Sequence, residues 1–149
     1  MTEQNRTEAH LAVVRKALDA ISRGDFPTLA STVTPDFARQ DLGETFVLEG
    51  SGADPLVQFI GTVRTAMPDF TMRVVDGFGD DDRVAVQIRL TGTHLGEFLG
   101  SPPSGRRIEI NGISLYRFRD GLICENRQLL DVARMTRELT TTDRAAGAA

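Results

Sequence analysis

Among the carboxylates of this sequence, Asp131 is the one best placed for acid–base work. It closes an apolar stretch, Leu122 to Asp131, that reads as a strand. A carboxylate in apolar surroundings is hard to ionise, so its pKa rises toward neutral and it can take a proton from a carbon next to a carbonyl. Asp131 can equally be the N-cap of a closing helix over 132–139. Just upstream, Arg127 offers a planar guanidinium that can hold an enolate or carboxylate oxygen through two N–H groups. Its alternative is an ion pair with Glu125 or Asp131 on the sheet surface. Strand alternation puts Glu125, Arg127 and Asp131 on one face. A bulge at the Asp120-Gly121 turn would reverse which face points inward.

The remaining candidates are hydrogen-bonding groups. His94 ends a strand beside a loop, where it can exchange protons, orient a ligand, or simply be a hydrogen-bonded structural residue. Tyr116 and Asn126 can donate to quinone or phenol oxygens, although a tyrosine on an alternating strand is also ordinary core. No metal set is expected. His10, His94 and Cys124 have no ligand spacing, and Asp80-Asp81-Asp82 lacks the alternation of a calcium loop. Gly77, Gly79 and Gly92 do not form a dinucleotide fingerprint. No cofactor is implied. The stretch Gly96 to Gly105 reads as either a lid or a plain surface connection.

The elements that must position these groups follow from periodicity. Leu11, Val14, Leu18 and Ile21 recur at helical spacing and predict a helix over 7–23, with Thr7 as N-cap and Gly24 as its stop. Asp25 caps a short second helix that buries Leu29 and Val33. Asp54-Pro55 starts a third, with Leu56, Phe59, Ile60 and Val63 on its apolar side, and Pro68 ends it. After Pro68 the period becomes that of strands. Phe70 to Val75 is the first strand, and Asp76 to Asp82 a turn. Arg83 to His94 alternates Val84, Val86, Ile88 and Leu90 against Arg83, Gln87 and Arg89. Arg106 to Arg119 alternates through Ile108, Ile110, Ser114, Tyr116 and Phe118, and the Asp120-Gly121 hairpin turn leads into the last strand. Helices followed by strands give an α+β fold. A curved antiparallel sheet wrapped over the helices would form an open cone with an internal pocket. The expected domain covers 1–139, and the small, polar segment 140–149 reads as a disordered tail.

Composition narrows the function classes. Forty per cent of residues are hydrophobic and 26% charged, with a net charge of -4. Without a basic stripe, nucleic acid is not an expected partner. A single cysteine excludes an internal disulfide. The polar start, Met1 to Glu8, has no apolar stretch behind it, and no apolar run is long enough to span a bilayer. A cytoplasmic protein without membrane contact is therefore expected.

Gly92-Thr93-His94 through Pro102-Pro103-Ser104-Gly105-Arg106-Arg107 leads into Asn111-Gly112-Ile113-Ser114-Leu115-Tyr116 and on to Asp120-Gly121-Leu122-Ile123. With Thr34-Pro35-Asp36-Phe37 and Met67-Pro68-Asp69-Phe70, these segments resemble SnoaL-like polyketide cyclases over roughly 8–139. The resemblance implies the cone fold shared with ketosteroid isomerases. It also implies cofactor-free aldol ring closure of aromatic polyketides, or the hydroxylation of anthracycline intermediates attributed to close relatives. Many members of that family read Glu-His-Trp-Asp-x-x-Asp after the hairpin, whereas this chain reads Glu125-Asn126-Arg127-Gln128-Leu129-Leu130-Asp131. Arg127 thus stands where tryptophan is usual and Gln128 where the first aspartate is usual. Ser114 stands where His or Asp is frequent, and Gln40 where a histidine is common. The family's acid–base group is lost if it belongs at 128 and kept if it belongs at 131.

The expected partner is a hydrophobic aromatic small molecule. Deprotonation would give a carbanion that attacks an internal carbonyl or meets dioxygen. A different class of reading is a non-catalytic binding or dimerisation module. Pairing through the sheet, with Gln87, Arg89 and Arg117 outward, would make a homodimer or higher homo-oligomer.

Overall fold

The fold is described from a computed structural model, in which residues 2–140 are described. Helix α1 spans Glu3–Arg23 and opens at Thr2, whose hydroxyl accepts from the Asn5 N–H, so it begins a turn before the expected Thr7. Gly24 ends it in the left-handed conformation (φ 68°), a backbone shape open to glycine without penalty. Asp25 then caps α2 (Phe26–Ser31), and Pro55 sits in the first turn of α3 (Asp54–Ala66). The strands are β1 (Val33–Asp41), β2 (Thr71–Gly79), β3 (Arg83–Thr93), β4 (Arg107–Arg119) and β5 (Leu122–Leu130), and α4 (Val132–Thr140) closes the chain.

The five strands form one sheet in the order β1-β5-β4-β3-β2. Three neighbouring pairs are antiparallel, as alternation predicts. Two features go beyond the sequence reading. Segment 33–41 is a strand, β1, that runs parallel to β5 and completes the sheet edge. Strand β2 continues through Asp76–Gly79, a stretch expected to be turn, by inserting Val75 as a bulge. Thr140 ends α4 rather than opening a tail, and 141–149 lie outside the described residues.

The core fills the concave side. Val14, Leu18 and Ile21 of α1 and Ile60 and Val63 of α3 meet Val84, Val86 and Ile88 of β3 and Ile108 and Ile110 of β4. Ile88 and Val14 are fully buried; a completely buried side chain of this size contributes about 1.5–3 kcal/mol. Asp120 and Gly121 both take positive φ (53° and 79°), the shape of the two-residue hairpin turn expected there. Just past that turn β5 carries one extra residue. Phe118 pairs with Ile123 and Arg117 with Glu125, leaving Cys124 unpaired as a bulge. Ile123 points inward. After the bulge the inward positions are Asn126 and Gln128.

Candidate functional site

Inside the cone is a chamber with two kinds of wall. Its apolar side comes from Ala17, Leu18 and Ile21 of α1, Phe59, Ile60 and Val63 of α3, and Phe70, Met72 and Leu90. Its polar side is a patch on three adjoining strands. Register places Arg39 of β1 beside Asn126 of β5, and Asn126 beside Tyr116 of β4. The next inward row runs Asp41, Gln128, Ser114 in the same order. Arg39, Tyr116, Asn126 and Gln128 line the chamber.

These groups form a connected network. Asn126 Nδ2 donates to Ser114 Oγ at 2.6 Å and to the Leu115 carbonyl at 3.3 Å. Ser114 Oγ donates to Gln128 Oε1 at 3.4 Å. Ser114 is fully buried and is the hub that fixes both amides. Burial pushes the Tyr116 phenol up from its ordinary pKa; the Ser114 hydroxyl and the Arg39 charge pull it part of the way back. The phenol is therefore a neutral hydrogen-bond donor at physiological pH.

Arg39 is the one charge in the chamber lining. Burial lowers its pKa, and Asp41 and Tyr116 work in the opposite direction. A guanidinium still stays protonated. It donates from Nη1 to the Phe46 carbonyl at 2.8 Å and lies 5.7 Å from the Phe59 ring centre. It has no ion pair at salt-bridge distance among the described residues. Nearby Asp41 is buried, but its carboxylate already accepts the backbone N–H groups of Gly43, Thr45 and Phe46 at 3.0, 3.1 and 2.6 Å. Those bonds shape the 42–53 loop and bring Phe46 over the chamber. There Phe46 meets Phe59 and, at 6.3 Å, Phe98 of the 94–106 loop. The free volume enclosed is about 70 Å³. That is less than a cavity that takes up one benzene ring, so a larger ligand requires the lining to rearrange.

The structure places the expected residues as follows. Tyr116, Asn126 and Gln128 face the chamber, and Ser114 stands behind the two amides. Asp131 does not face it. It is exposed and accepts the Arg134 N–H at 3.1 Å as the cap of α4, which corrects the acid–base placement. Arg127 also lies outside, on the convex face, paired with Glu125 at 3.1 Å. Its outward direction follows from the Cys124 bulge, which leaves Asn126 and Gln128 as the inward pair. His94 is fully buried but is not part of the chamber lining. The backbone N–H of Ser104 donates to its Nδ1 at 3.2 Å, and Ser104 Oγ lies 2.9 Å from the same nitrogen. His94 therefore pins the base of the 94–106 loop. Gln40 is exposed. Sequence reasoning missed Arg39. Its signal was the inward spacing Phe37, Arg39, Asp41, which becomes visible only once 33–41 is known to be a strand.

Chemically, the lining holds donors and one cation. No carboxylate and no imidazole is among the chamber residues. Such a wall can bind and stabilise an oxyanion, but it cannot accept a proton from carbon. Among the described residues no cluster of three or more His, Cys, Asp or Glu side chains is arranged to hold a metal. No helix of the described residues is long and apolar enough to cross a membrane.

Comparison with known proteins supports the architecture. IdmH, a candidate polyketide cyclase from Streptomyces antibioticus, superposes with a TM-score of 0.77 at 27% identity, over 87% of this chain and 97% of its own. AclR, a candidate hydroxylase from Streptomyces galilaeus, gives 0.77 at 24% identity over 89% and 96%. A candidate SnoaL-like polyketide cyclase from Jannaschia sp. CCS1 gives 0.80 at 23% over 95% and 98%. No curated protein matches the sequence. The family model for SnoaL-like polyketide cyclases matches residues 12–139, the stretch that builds the cone and its chamber, and the chain belongs to that family.

Proposed function

We propose that the chain converts an apolar, oxygen-bearing polyketide of the aromatic, anthracycline-precursor type by intramolecular aldol ring closure without a resident cofactor. The observation that carries this reading is the set Arg39, Tyr116 and Gln128, oxygen-binding groups on one wall of an otherwise apolar chamber. Ring closure turns an enolate oxygen into a carbonyl and a carbonyl oxygen into an alkoxide. Groups fixed in advance around both oxygens lower the barrier because they need not reorganise as charge moves. The apolar wall folds the chain so that the two carbons meet, which supplies the orientational part of the acceleration. The steps balance without an oxidant. A C–H proton leaves to water, the C–C bond forms, and the alkoxide takes a proton back. Loss of water can then aromatise the ring.

A second reading, insertion of oxygen into such an intermediate, draws support from Gln128. It replaces the aspartate expected at a position that the structure turns into the chamber. Incubation with an anthracycline precursor, followed by mass spectrometry, separates the two. Closure with dehydration lowers the mass by about 18 Da, and net oxygen insertion raises it by about 16 Da. Binding with no mass change and no new ring would overturn both and leave a non-catalytic binding module.

A further inference from the structure

The Arg39 charge poses a question that neutral donors would not. Holding a cation against Phe37, Phe46 and Phe59 has a desolvation cost before any substrate arrives. Tyr116 and the Gln128 amide can already support an oxygen that becomes negative during reaction. No lining residue can remove a proton from the substrate. The one nearby carboxylate, Asp41, is committed to three backbone N–H groups. Arg39 itself gives one hydrogen bond to the Phe46 carbonyl, and its other N–H groups have no protein acceptor among the described residues.

We infer that the chamber selects a substrate that enters already carrying a delocalised oxyanion, which docks on Arg39. This rests on the chamber being the ligand site, as proposed above. The oxyanion is either a free carboxylate or an ionised 1,3-dicarbonyl. Both are planar, spread one negative charge over two oxygens, and suit a guanidinium better than an ammonium. An ionised 1,3-dicarbonyl is already an enolate, so for that class a chamber without a base can begin its chemistry; a carboxylate would serve as an anchor only. Neutral esters of the same skeleton are then poor ligands. Gln128 is part of the same logic, since a carboxylate at that position would repel the anion that Arg39 attracts.

Isothermal titration of the full chain at neutral pH tests this with two matched pairs. The first is 2-naphthoate against 2-naphthamide, and the second is dimedone against its enol methyl ether. At least one anion is expected to bind at least about tenfold tighter than its neutral partner. The naphthoate arm alone would identify a carboxylate, and the dimedone arm alone an enolate. Arg39→Met is expected to abolish the preference while leaving the neutral partner's affinity in place, and Arg39→Lys to keep part of it. Should Arg39→Met fail to fold, Asn126→Asp gives an independent route. It sets a carboxylate beside Arg39 in the neighbouring strand and must also erase the preference. Equal affinities within both pairs, or a preference that survives Arg39→Met, would overturn the anion proposal and leave the chamber reading intact. No binding by any of the four probes would overturn both.

Discussion

The two faces of strand β5 place polar side chains in opposite circumstances a few ångströms apart. On the convex face, Glu125 and Arg127 satisfy each other in water, and Asp131 just beyond them caps a helix. On the concave face, Asn126 and Gln128 are neutral, buried and tied to Ser114. Outside, charge costs little and contributes little, because water screens it. Inside, each polar atom must have a partner or be left to a ligand. A charged residue on this strand is therefore poor evidence of function, and an uncharged amide can be better evidence.

That contrast can be broken in graded steps. The largest effect is expected at Asp41. Asp41→Ala strips three backbone N–H groups of their acceptor and should lower stability by about 3 kcal/mol in guanidinium unfolding. It should also speed proteolysis within 42–53. Asn126→Leu comes next. It removes the donor to Ser114 and Leu115, with an expected loss of about 2 kcal/mol by the same measurement and weaker binding of any chamber ligand. Asp131→Ala should cost about 1 kcal/mol through the lost cap of α4 and leave product formation unchanged. Arg127→Ala should change stability by less than about 0.5 kcal/mol and leave ligand affinity where it was. A large loss of turnover in either of the last two variants, with stability kept, would show that the chemistry lies on the convex face.

Much of the scaffold could be read from residue order, and the exceptions have physical causes. The stripe Leu11, Val14, Leu18, Ile21 and the alternation Val84, Val86, Ile88, Leu90 mark α1 and β3 because burial on one face dictates them. Strand β1 was invisible. Pro35 interrupts it, a bulge separates Val33 from Ala38 in its pairing, and Arg39, Gln40 and Asp41 look like surface. Only the parallel partnership with β5, a long-range event, turns that polar run into a wall of the chamber. Tyr116 and Asn126 were legible as hydrogen-bond donors, and Ser114 and Gln128 through their positions in a familiar pattern. Asp131 and Arg127 misled because a residue's type says what it can do, while its direction depends on a register that local sequence does not fix.

Cys124 decides that direction. Because it is a lone supernumerary residue in the hairpin, everything after it on β5 is rotated by half a turn relative to an unbulged strand. Deleting it would take out the bulge and leave Arg117 opposite Glu125 and Tyr116 opposite Asn126, so Asn126 and Gln128 would still face the cone. The bulge lets Ile123 and Asn126, three residues apart, face the same interior. A single-codon deletion at 124 would thus remove the local kink and keep the lining of the chamber.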